Sequence, residues 1–215
     1  MARVQDSDNA ADSITSREKI LEVAEALFAR RGFAGVGMRE VAEVVGLGKS
    51  SLFHHFKSKL QLYGEVIARV LGRIEERVRP ALATGANPAE KLDRWLDALI
   101  DALAEQPATA RLLLRSLVED DDLPPEPTPE IEAAERAISS ILAGVDGLLR
   151  AGIESGAFRR VSVPHTLQTL IGATVYHFAS GEFGDELIGR PLLSAEEVRR
   201  RKDAVRSLLH HGLVA

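Results

Sequence analysis

Apolar residues recur every three to four positions along most of the chain, which is the spacing of one face of an α-helix. The first stripe of apolar residues lies within residues 20–28. Thr15 precedes this stripe as the predicted N-cap, and Glu18 stands three residues after Thr15, which is a capping-box pattern. Gly32 is the predicted C-cap. The first helix is therefore predicted to run from Thr15 to Arg31.

Two short helices are predicted next. Their apolar stripes lie within residues 38–45 and 49–56, and only Gly46-Leu47-Gly48 separates them. Both glycines can adopt positive φ, so the chain can turn sharply around the apolar leucine between them. Two short helices joined by such a turn form a helix-turn-helix.

The rest of the chain also has helical periodicity. A fourth helix is predicted from about Ser58 to Arg79, where Pro80 should end it. Five further helices are predicted by apolar stripes within residues 92–103, 110–117, 131–149, 167–178 and 198–209. The acidic run Glu119-Asp120-Asp121-Asp122 and the prolines up to Pro129 predict an exposed loop. The predicted fold is all-α, with about nine helices.

Charge is distributed unevenly along the chain. The formal net charge is −5, but residues 14–60 carry eight Lys or Arg against five acids, whereas residues 61–215 carry eighteen against twenty-four. A mildly basic N-terminal part on an acidic body fits a protein that presents one end to phosphates. The charge pattern therefore favours a nucleic-acid partner for the N-terminal part.

The composition excludes several classes of protein. The absence of cysteine excludes disulfide scaffolds, thiol nucleophiles and cysteine-based zinc fingers. No apolar run approaches the roughly 20 residues of a membrane span, and residues 1–14 lack the apolar region of a signal peptide. We therefore expect a cytoplasmic protein that has no membrane partner.

A dense set of apolar, glycine, aromatic and basic positions lies between Thr15 and Leu62. The set comprises Ile20-Leu21, Ala24, Leu27-Phe28, Gly32-Phe33, Arg39-Glu40-Val41-Ala42, Gly46-Leu47, Lys49, Leu52-Phe53-His54-His55-Phe56 and Ser58-Lys59. This run resembles, without a gap, the DNA-binding head of the tetracycline-repressor (TetR) family. The resemblance implies a three-helix helix-turn-helix domain over residues 15–60, a flexible arm over residues 1–14, and a helical ligand-binding and dimerisation domain over residues 61–215.

Three residues depart from the family's pattern. Gly37 and Gly48 stand where the family usually has a Thr or Ser that caps the second and third helices. Glycine is a tolerated N-cap, so the expected loss is a few tenths of a kcal/mol. Phe53 stands where the family usually has a Tyr whose hydroxyl contacts a DNA phosphate, and we expect that contact to be missing.

The resemblance implies that residues 49–55 form the recognition helix, and the requirements of the major groove agree. A helix N-terminus that enters the groove needs short or flexible polar side chains. Lys49 can donate to guanine, while Lys59, which follows the predicted N-cap Ser58, can contact phosphate. The complete predicted DNA-binding set is Met38, Arg39, Gly48, Lys49, Ser50, Ser51, Phe53, His54, His55 and Lys59.

Two other interpretations of this segment fail. The run from Gly46 to Ser50 is similar to the end of a phosphate-binding P-loop, but Glu43 stands where that loop needs a glycine. The adjacent His54 and His55 point about 100° apart on a helix, so they cannot easily share a metal ion. No nucleophile-elbow pattern or metal-ligand spacing accompanies the serines and histidines. We therefore expect neither an enzyme nor a cofactor.

The last two predicted helices are similar in position to the family's dimerisation pair. Gly172, Ala173 and Ala179 are small residues of the eighth helix that permit close packing, although a helix buried within a monomer would also have them. The Arg199-Arg200-Arg201-Lys202 run is interpreted as a solvated face, because Glu196 and Glu197 lie four residues before two of its arginines.

The resemblance also implies a mostly apolar effector pocket enclosed by helices four to eight. Its predicted lining is Trp95, Leu99, Leu117, Tyr176 and His177, and the open alternative is that these residues belong to the core. We expect a homodimeric repressor that binds double-stranded DNA at an inverted-repeat operator and is released by a small hydrophobic effector. A helical protein-interaction module and a DNA-binding regulator without a ligand remain the alternatives.

Overall fold

The computed structural model describes residues 2–118 and 128–214, and within them the only β-type pairing is an isolated bridge between Phe158 and Val214. The helices of these residues are α1 (Ala2–Arg31), α2 (Met38–Val45), α3 (Lys49–His55), α4 (Lys59–Ala83), α5 (Pro88–Glu105), α6 (Pro107–Val118), α7 (Pro129–Glu154), α8 (Val163–Ala179), α9 (Glu182–Ile188) and α10 (Ala195–Gly212). The predicted all-α fold, a helix-turn-helix head followed by a larger helical body, is confirmed. Within the described residues, no helix is long and apolar enough to cross a membrane.

Helix α1 begins much earlier than predicted. It starts at Ala2, so residues 2–14 belong to α1 rather than to an arm before it, and the prediction of Thr15 as an N-cap was wrong. These residues include no Gly or Pro, so nothing in this segment forces the helix to end upstream of Thr15. The predicted C-terminus is confirmed, because Gly32 has φ 69° and its N–H donates to the carbonyl of Phe28 at 2.8 Å.

Two other element predictions differ from the structure. Helix α4 continues through Pro80 to Ala83, because its last turn is packed: Ala81 is buried and Leu82 lies against α7. Helix α9 was missed, because its seven residues are too few for a stripe to recur. The loop predicted at residues 119–122 lies outside the described residues.

Helix α4 connects the head to the body. It packs against α1 of the head and against α5, α6 and α7 of the body. Arg73 of α4 donates to the buried carboxylate of Glu25 in α1 at 2.6 Å, and a second ion pair joins Arg17 of α1 to Glu65 of α4. Both pairs hold the first helix against the connecting helix.

Helices α4 and α7 approach each other closely at two points. A Cβ at Gly64 of α4 would lie 2.9 Å from the backbone nitrogen of Ile131, and a Cβ at Gly144 of α7 would lie 2.7 Å from Leu82 Cδ1. These contacts pair the start of α4 with the start of α7, so the two helices run parallel. Glycine at both points allows the close approach.

Helix α10 is attached to α5 by a ladder of three side-chain pairs, of which those made by Arg206 and Lys202 are ion pairs. The four-residue spacing on both helices places each pair one turn from the next. The pairs are Asp93 with His210 at 3.0 Å, Asp97 with Arg206 at 2.6 Å and Asp101 with Lys202 at 2.6 Å.

The basic run of α10 is only partly a solvated face. The predicted pair Glu196–Arg200 is present at 2.5 Å, but the prediction that Glu197 pairs with Arg201 was wrong. Glu197 is buried and pairs with Arg200 at 3.2 Å. Arg201 turns inward, donates to the carbonyl of Ala173 in α8, and has its pKa lowered by burial. The Arg201 side chain is long enough to reach α8, where the carbonyl of Ala173 accepts its hydrogen bond. An exposed pair with Glu197 would not provide that bond.

Candidate nucleic-acid interface

The turn of the helix-turn-helix is built on backbone hydrogen bonds at the end of α2. Gly46 has φ 80°, its N–H donates to the carbonyl of Glu43 at 3.1 Å, and the N–H of Leu47 donates to the carbonyl of Ala42 at 2.8 Å. This pair of bonds is a Schellman motif, which satisfies the last carbonyls of a helix and needs a residue that tolerates positive φ. The predicted turn around Leu47 is therefore confirmed.

Helix α3 is fixed to the head by its buried face. Leu52 of α3 and Phe56, its C-cap, are fully buried, and the guanidinium of Arg17 lies 4.7 Å from the centre of the Phe56 ring. Phe28, Phe33 and Tyr63 form the aromatic part of the same core. The centre of the Tyr63 ring lies 5.0 Å from that of Phe28 and 5.2 Å from that of Phe33, both in edge-to-face contacts. The other side of α3 is exposed to solvent.

The N-terminus of α3 presents small polar groups to solvent. Gly48, Lys49, Ser50, Ser51 and His54 are exposed. The ammonium of Lys49 lies 5.7 Å from the centre of the Phe53 ring, and Phe53 is half-buried. This cation–π contact is exposed and therefore weak. Moving the Lys49 side chain away from the Phe53 ring would cost little free energy.

Gly37 and Gly48 are the N-caps of α2 and α3, as the family pattern indicates. Both have extended backbone, with φ −107° at Gly37 and −67° at Gly48, and neither offers a side-chain acceptor. A Cβ at Gly37 would meet nothing within 4 Å, so a serine would fit there. Each of these caps lacks one hydrogen bond that Ser or Thr would supply.

The basic residues at the start of α4 are placed differently from one another. Ser58 is the N-cap as predicted, and its Oγ accepts from the backbone N–H of Gln61 at 3.0 Å. Lys59 is half-buried: its Nζ donates to the carbonyl of Phe33 at 2.9 Å and lies 4.2 Å from that ring's centre. Lys57, which sequence reasoning missed, is exposed beside the same helix N-terminus. Its signal was its position next to the predicted cap.

Met38 and Arg39 begin α2 but face different surroundings. Met38 is half-buried and packs against the core of the head, whereas Arg39 is exposed. Glu40 forms an ion pair with Arg31 of α1 at 2.5 Å. Of the two residues of α2 that were predicted to contact DNA, only Arg39 is therefore exposed.

The two adjacent histidines end α3. Their ring centres are 5.7 Å apart in an edge-to-face arrangement. His54 is exposed, while His55 is half-buried and its pKa is lowered by burial and by the neighbouring His54 and Arg17. His55 is therefore less readily protonated than a solvent-exposed histidine.

The five predicted effector residues differ in their exposure. Trp95 and Leu99 of α5 are buried in the core, whereas Leu117 is 57% exposed and Tyr176 is 53% exposed. His177 is half-buried beside the Phe178 ring, and burial followed by the charge of Arg201 lowers its pKa to about 4. None of the five lines the α4–α6 cavity described next.

A cavity of about 330 Å³ lies between α4, α5 and α6. Its wall includes Arg73, Arg77 and Glu105, together with apolar Val70 and Ile74. This cavity therefore has several charged lining residues and differs from the mostly apolar pocket that was expected. Arg77 and Glu105 pair with each other across the cavity wall.

Helices α8 and α10 leave an apolar surface in solvent. Along α8, Gln168, Gly172 and Tyr176 form one exposed stripe with a four-residue spacing, and a Cβ at Gly172 would meet nothing within 4 Å. Large apolar side chains of the last three helices are also exposed: Tyr176, Phe183, Leu187, Ile188 and Leu208 are all between 43% and 73% exposed. We call Gly172 and these five residues the α8–α10 surface. A surface of this kind typically marks an interaction site.

Two family models match the chain. The model described as bacterial regulatory proteins of the TetR family matches residues 20–66, and the model of the tetracycline repressor-like C-terminal domain matches residues 88–208. The transcriptional repressor KstR2 of Mycolicibacterium smegmatis is 28% identical over 152 residues, which is 71% of this chain and 72% of that protein.

Solved structures show the same fold. The ketosteroid transcriptional regulator KstR2 of Mycobacterium tuberculosis superposes with a TM-score of 0.74 at 23% identity, covering 93% of this chain and 95% of that chain. AibR, solved in complex with isovaleryl coenzyme A and operator DNA, superposes with a TM-score of 0.72 at 18% identity, covering 90% of this chain and 97% of that chain. These relatives are regulators of transcription rather than enzymes. The chain belongs to the TetR family of bacterial transcriptional regulators.

Proposed function

We propose that this protein is a homodimeric repressor that acts in the cytoplasm, binds an inverted-repeat operator through its two α3 helices, and is released by a small effector. The observation that carries the proposal is the two-sided form of α3. Leu52 and Phe56 anchor its inner face, while Lys49, Ser50 and Ser51 are exposed at the end that would enter the major groove.

The roles of the basic residues divide between bases and phosphates. We propose that Lys49 donates to a guanine edge; its exposure at the N-terminus of α3 supports this role. We propose that Lys57 and the N-terminus of α4 bind the DNA backbone, since both favour an anion. Lys59 can add a phosphate contact with the donors that Phe33 does not use.

Dimerisation is proposed through the α8–α10 surface. A single short recognition helix reads too few base pairs for genomic specificity, so two copies are needed. The surface is apolar and exposed, and the open space above Gly172 allows a partner helix to approach closely. A second copy of this chain would cover Tyr176 and Leu208 by two-fold symmetry.

The effector is proposed to act near Trp95 and His177. Trp95 Nε1 and His177 Nε2 are buried without a hydrogen-bond partner among the described residues. A buried polar atom of this kind costs about 1–3 kcal/mol until it finds a hydrogen-bond partner. A small hydrophobic molecule with one polar group suits such a place. By analogy with AibR, the acyl end of an acyl coenzyme A thioester is the first such group to test.

The proposal is tested with operator DNA and matched variants. We expect Gly172→Glu to give folded monomers that lose specific operator binding, because it places a charge on the dimer surface. Arg136→Gln is the control, since Arg136 is 69% exposed on α7 and belongs neither to α3 nor to the α8–α10 surface. Sedimentation gives the oligomeric state, and a mobility shift gives the operator affinity. A wild type that is monomeric at micromolar concentration while binding specifically would contradict the dimer.

The effector is tested by titration of isovaleryl coenzyme A and of a ketosteroid. We expect a ligand that quenches Trp95 fluorescence also to lower operator affinity. Quenching with unchanged operator affinity would show that the ligand does not act as a switch. Operator binding without any ligand response across the panel would favour the alternative, a DNA-binding regulator without an effector.

A further inference from the structure

Two hydrogen bonds made by one side chain join the turn before α4 to the start of α7. The side-chain oxygen of Gln61 in α4 accepts from the backbone N–H of Lys57 at 2.8 Å. The side-chain nitrogen of Gln61 donates to a carboxylate oxygen of Glu130 in α7 at 3.0 Å. We call these two bonds the Gln61 bridge. The bridge links the segment between α3 and α4 to a helix of the body.

Helix capping explains only one of the two bonds. Ser58 Oγ accepts from the backbone N–H of Gln61 at 3.0 Å, while Gln61 reaches back to the N–H of Lys57, the residue before the cap. This exchange is similar to a capping box, in which Glu and Gln serve equally well because only an oxygen acceptor is needed. The donor group of Gln61 takes no part in it. Glutamate at this position would keep the cap and lose the bond to α7.

Glu130 is a strong acceptor for this bond. It lies half-buried in the first turn of α7. Burial raises the pKa of its carboxyl, but hydrogen bonds from its own backbone N–H, from Gln61 and from Thr128, together with the charge of Arg17, bring that pKa below its ordinary value. The carboxylate is therefore ionised at neutral pH. A hydrogen bond to a charged acceptor is stronger than one between neutral groups.

The bridge lies one turn from a close contact between α4 and α7. Gly64 follows Gln61 by three residues, which places both on neighbouring parts of one helix face. A Cβ at Gly64 would lie 2.9 Å from the backbone nitrogen of Ile131 and 3.0 Å from Glu130 Cβ. The backbones of the two helices therefore lie against each other here. This contact fixes the distance that Gln61 spans to reach α7.

We propose that Gln61 is a positioning residue for DNA binding, through which the start of α7 holds the backbone of Lys57 in place for contact with a DNA phosphate. Only residues 56–58 separate α3 from α4, and Lys57 is exposed among them. A segment that is already ordered in the free protein loses less conformational freedom when DNA binds. The inference rests on the proposed function, because it requires Lys57 and the N-terminus of α4 to bind the DNA backbone.

The bridge is tested by exchanging its two partners. Gln61→Glu keeps the cap but sets a second carboxylate against Glu130, so operator affinity should fall about tenfold and the salt slope of binding by about one unit. Adding Glu130→Gln reverses donor and acceptor and should restore both quantities. The matched control is Glu132→Gln, which removes the same charge from the same turn of α7 and should restore neither. Equal recovery with Glu132→Gln and with Glu130→Gln, or recovery with neither, would overturn the proposal.

A second pair of variants tests the bridge without adding a charge. Glu130→Ala and Glu132→Ala each remove one acid from the first turn of α7, but only Glu130→Ala removes the acceptor of Gln61. We expect Glu130→Ala to bind the operator about threefold more weakly than Glu132→Ala, the scale of a net hydrogen bond. Equal operator affinities of the two variants would overturn the proposal.

Urea unfolding followed by Trp95 fluorescence separates positioning from stability. A purely structural bridge would lower the free energy of unfolding in Gln61→Glu and leave the operator affinity of the folded protein unchanged, which would overturn the inference. Failure of the proposed function gives a different result. Absence of specific operator binding by wild type would overturn the proposed function and this inference with it, whereas binding by wild type that Gln61→Glu and Glu130→Ala leave unchanged would overturn the inference alone.

Discussion

The head and the body use their apolar residues in different ways. Each helix of the head has one buried face and one exposed face, and α3 shows the contrast most clearly, with Leu52 fully buried and Lys49 exposed. In the body, α8 is apolar on several sides, with Phe178 buried and Tyr176 53% exposed only two residues away. When a helix has one apolar and one polar face, its sequence shows which face is buried and which is available for binding. The sequence of a helix that is apolar on several sides does not show whether a face meets the core, a ligand or a partner.

The largest expected effect is the unfolding of the head by a substitution in its core that leaves the body folded. Phe56→Ala should cost about 3–5 kcal/mol of stability, because Phe56 is fully buried against Arg17 and the rest of the head's core. We expect operator binding to be lost while Trp95 fluorescence, which reports on the body, keeps its native emission. The control is Val44→Ala at a position that is 58% exposed, where stability should change by less than about 0.5 kcal/mol. Loss of the Trp95 signal together with binding would mean that the head and the body unfold as one unit.

A smaller change separates the two kinds of basic contact within the head. Lys49→Gln should relax the preference at one base pair of each half-site by about 1–3 kcal/mol, because Lys49 lies at the groove end of α3. Lys57→Gln should instead weaken all sequences alike and lower the salt slope of binding by about one unit. Competition mobility shifts over a salt series measure both effects. Equal, sequence-independent losses in the two variants would remove Lys49 from base recognition.

In the body, His177 should make stability depend on pH. Its pKa is lowered from 6.5 to about 4, so the unfolded chain binds a proton more readily than the folded one. The stabilising contribution is complete above about pH 6.5 and is lost as the pH falls towards 4. His177→Gln should reduce the stability difference between about pH 7 and about pH 5 by on the order of 1 kcal/mol, a figure discounted for partial exposure. Urea unfolding at fixed protein concentration measures this, and an unchanged pH dependence would contradict the assigned cause.

The smallest expected effect concerns a cap in the head. Gly37→Ser should stabilise the protein by a few tenths of a kcal/mol, because the position has extended backbone and open space for a side-chain acceptor. The matched control is Gly37→Ala, which fills the same space without an acceptor and should not stabilise. Thermal unfolding compares the two variants. Greater stability in Gly37→Ala than in Gly37→Ser would show that the gain does not come from capping.

The head could be predicted from sequence to within a residue at most of its helix ends. The glycine of the turn and the buried aromatic residues of the head were predictable because each meets one structural requirement. Gly46, for example, supplies the positive φ that the turn needs. The start of α1 could not be predicted, since Thr15 and Glu18 form a capping pattern that a helix interior also tolerates. Lys59 was predicted only as a phosphate contact, because the carbonyl of Phe33 is 26 residues away in sequence.

The body could be predicted as helices but not as sites. Trp95 and Leu99 belong to α5 as expected, yet the stripe alone could not show that they are core. Tyr176 and His177 are neighbours in sequence and therefore point to different sides of α8, one into solvent and one inward.

The most direct test of the account is the selection of DNA sequences that the purified full-length protein binds. A dimer that carries one exposed α3 per copy predicts an inverted repeat, with half-site centres about one helical turn apart or a multiple of that distance. Selection with Lys49→Gln should return the same repeat with one position in each half-site relaxed. An enriched motif without two-fold symmetry, or no enriched motif at all, would contradict the central claim that two copies of α3 read the operator.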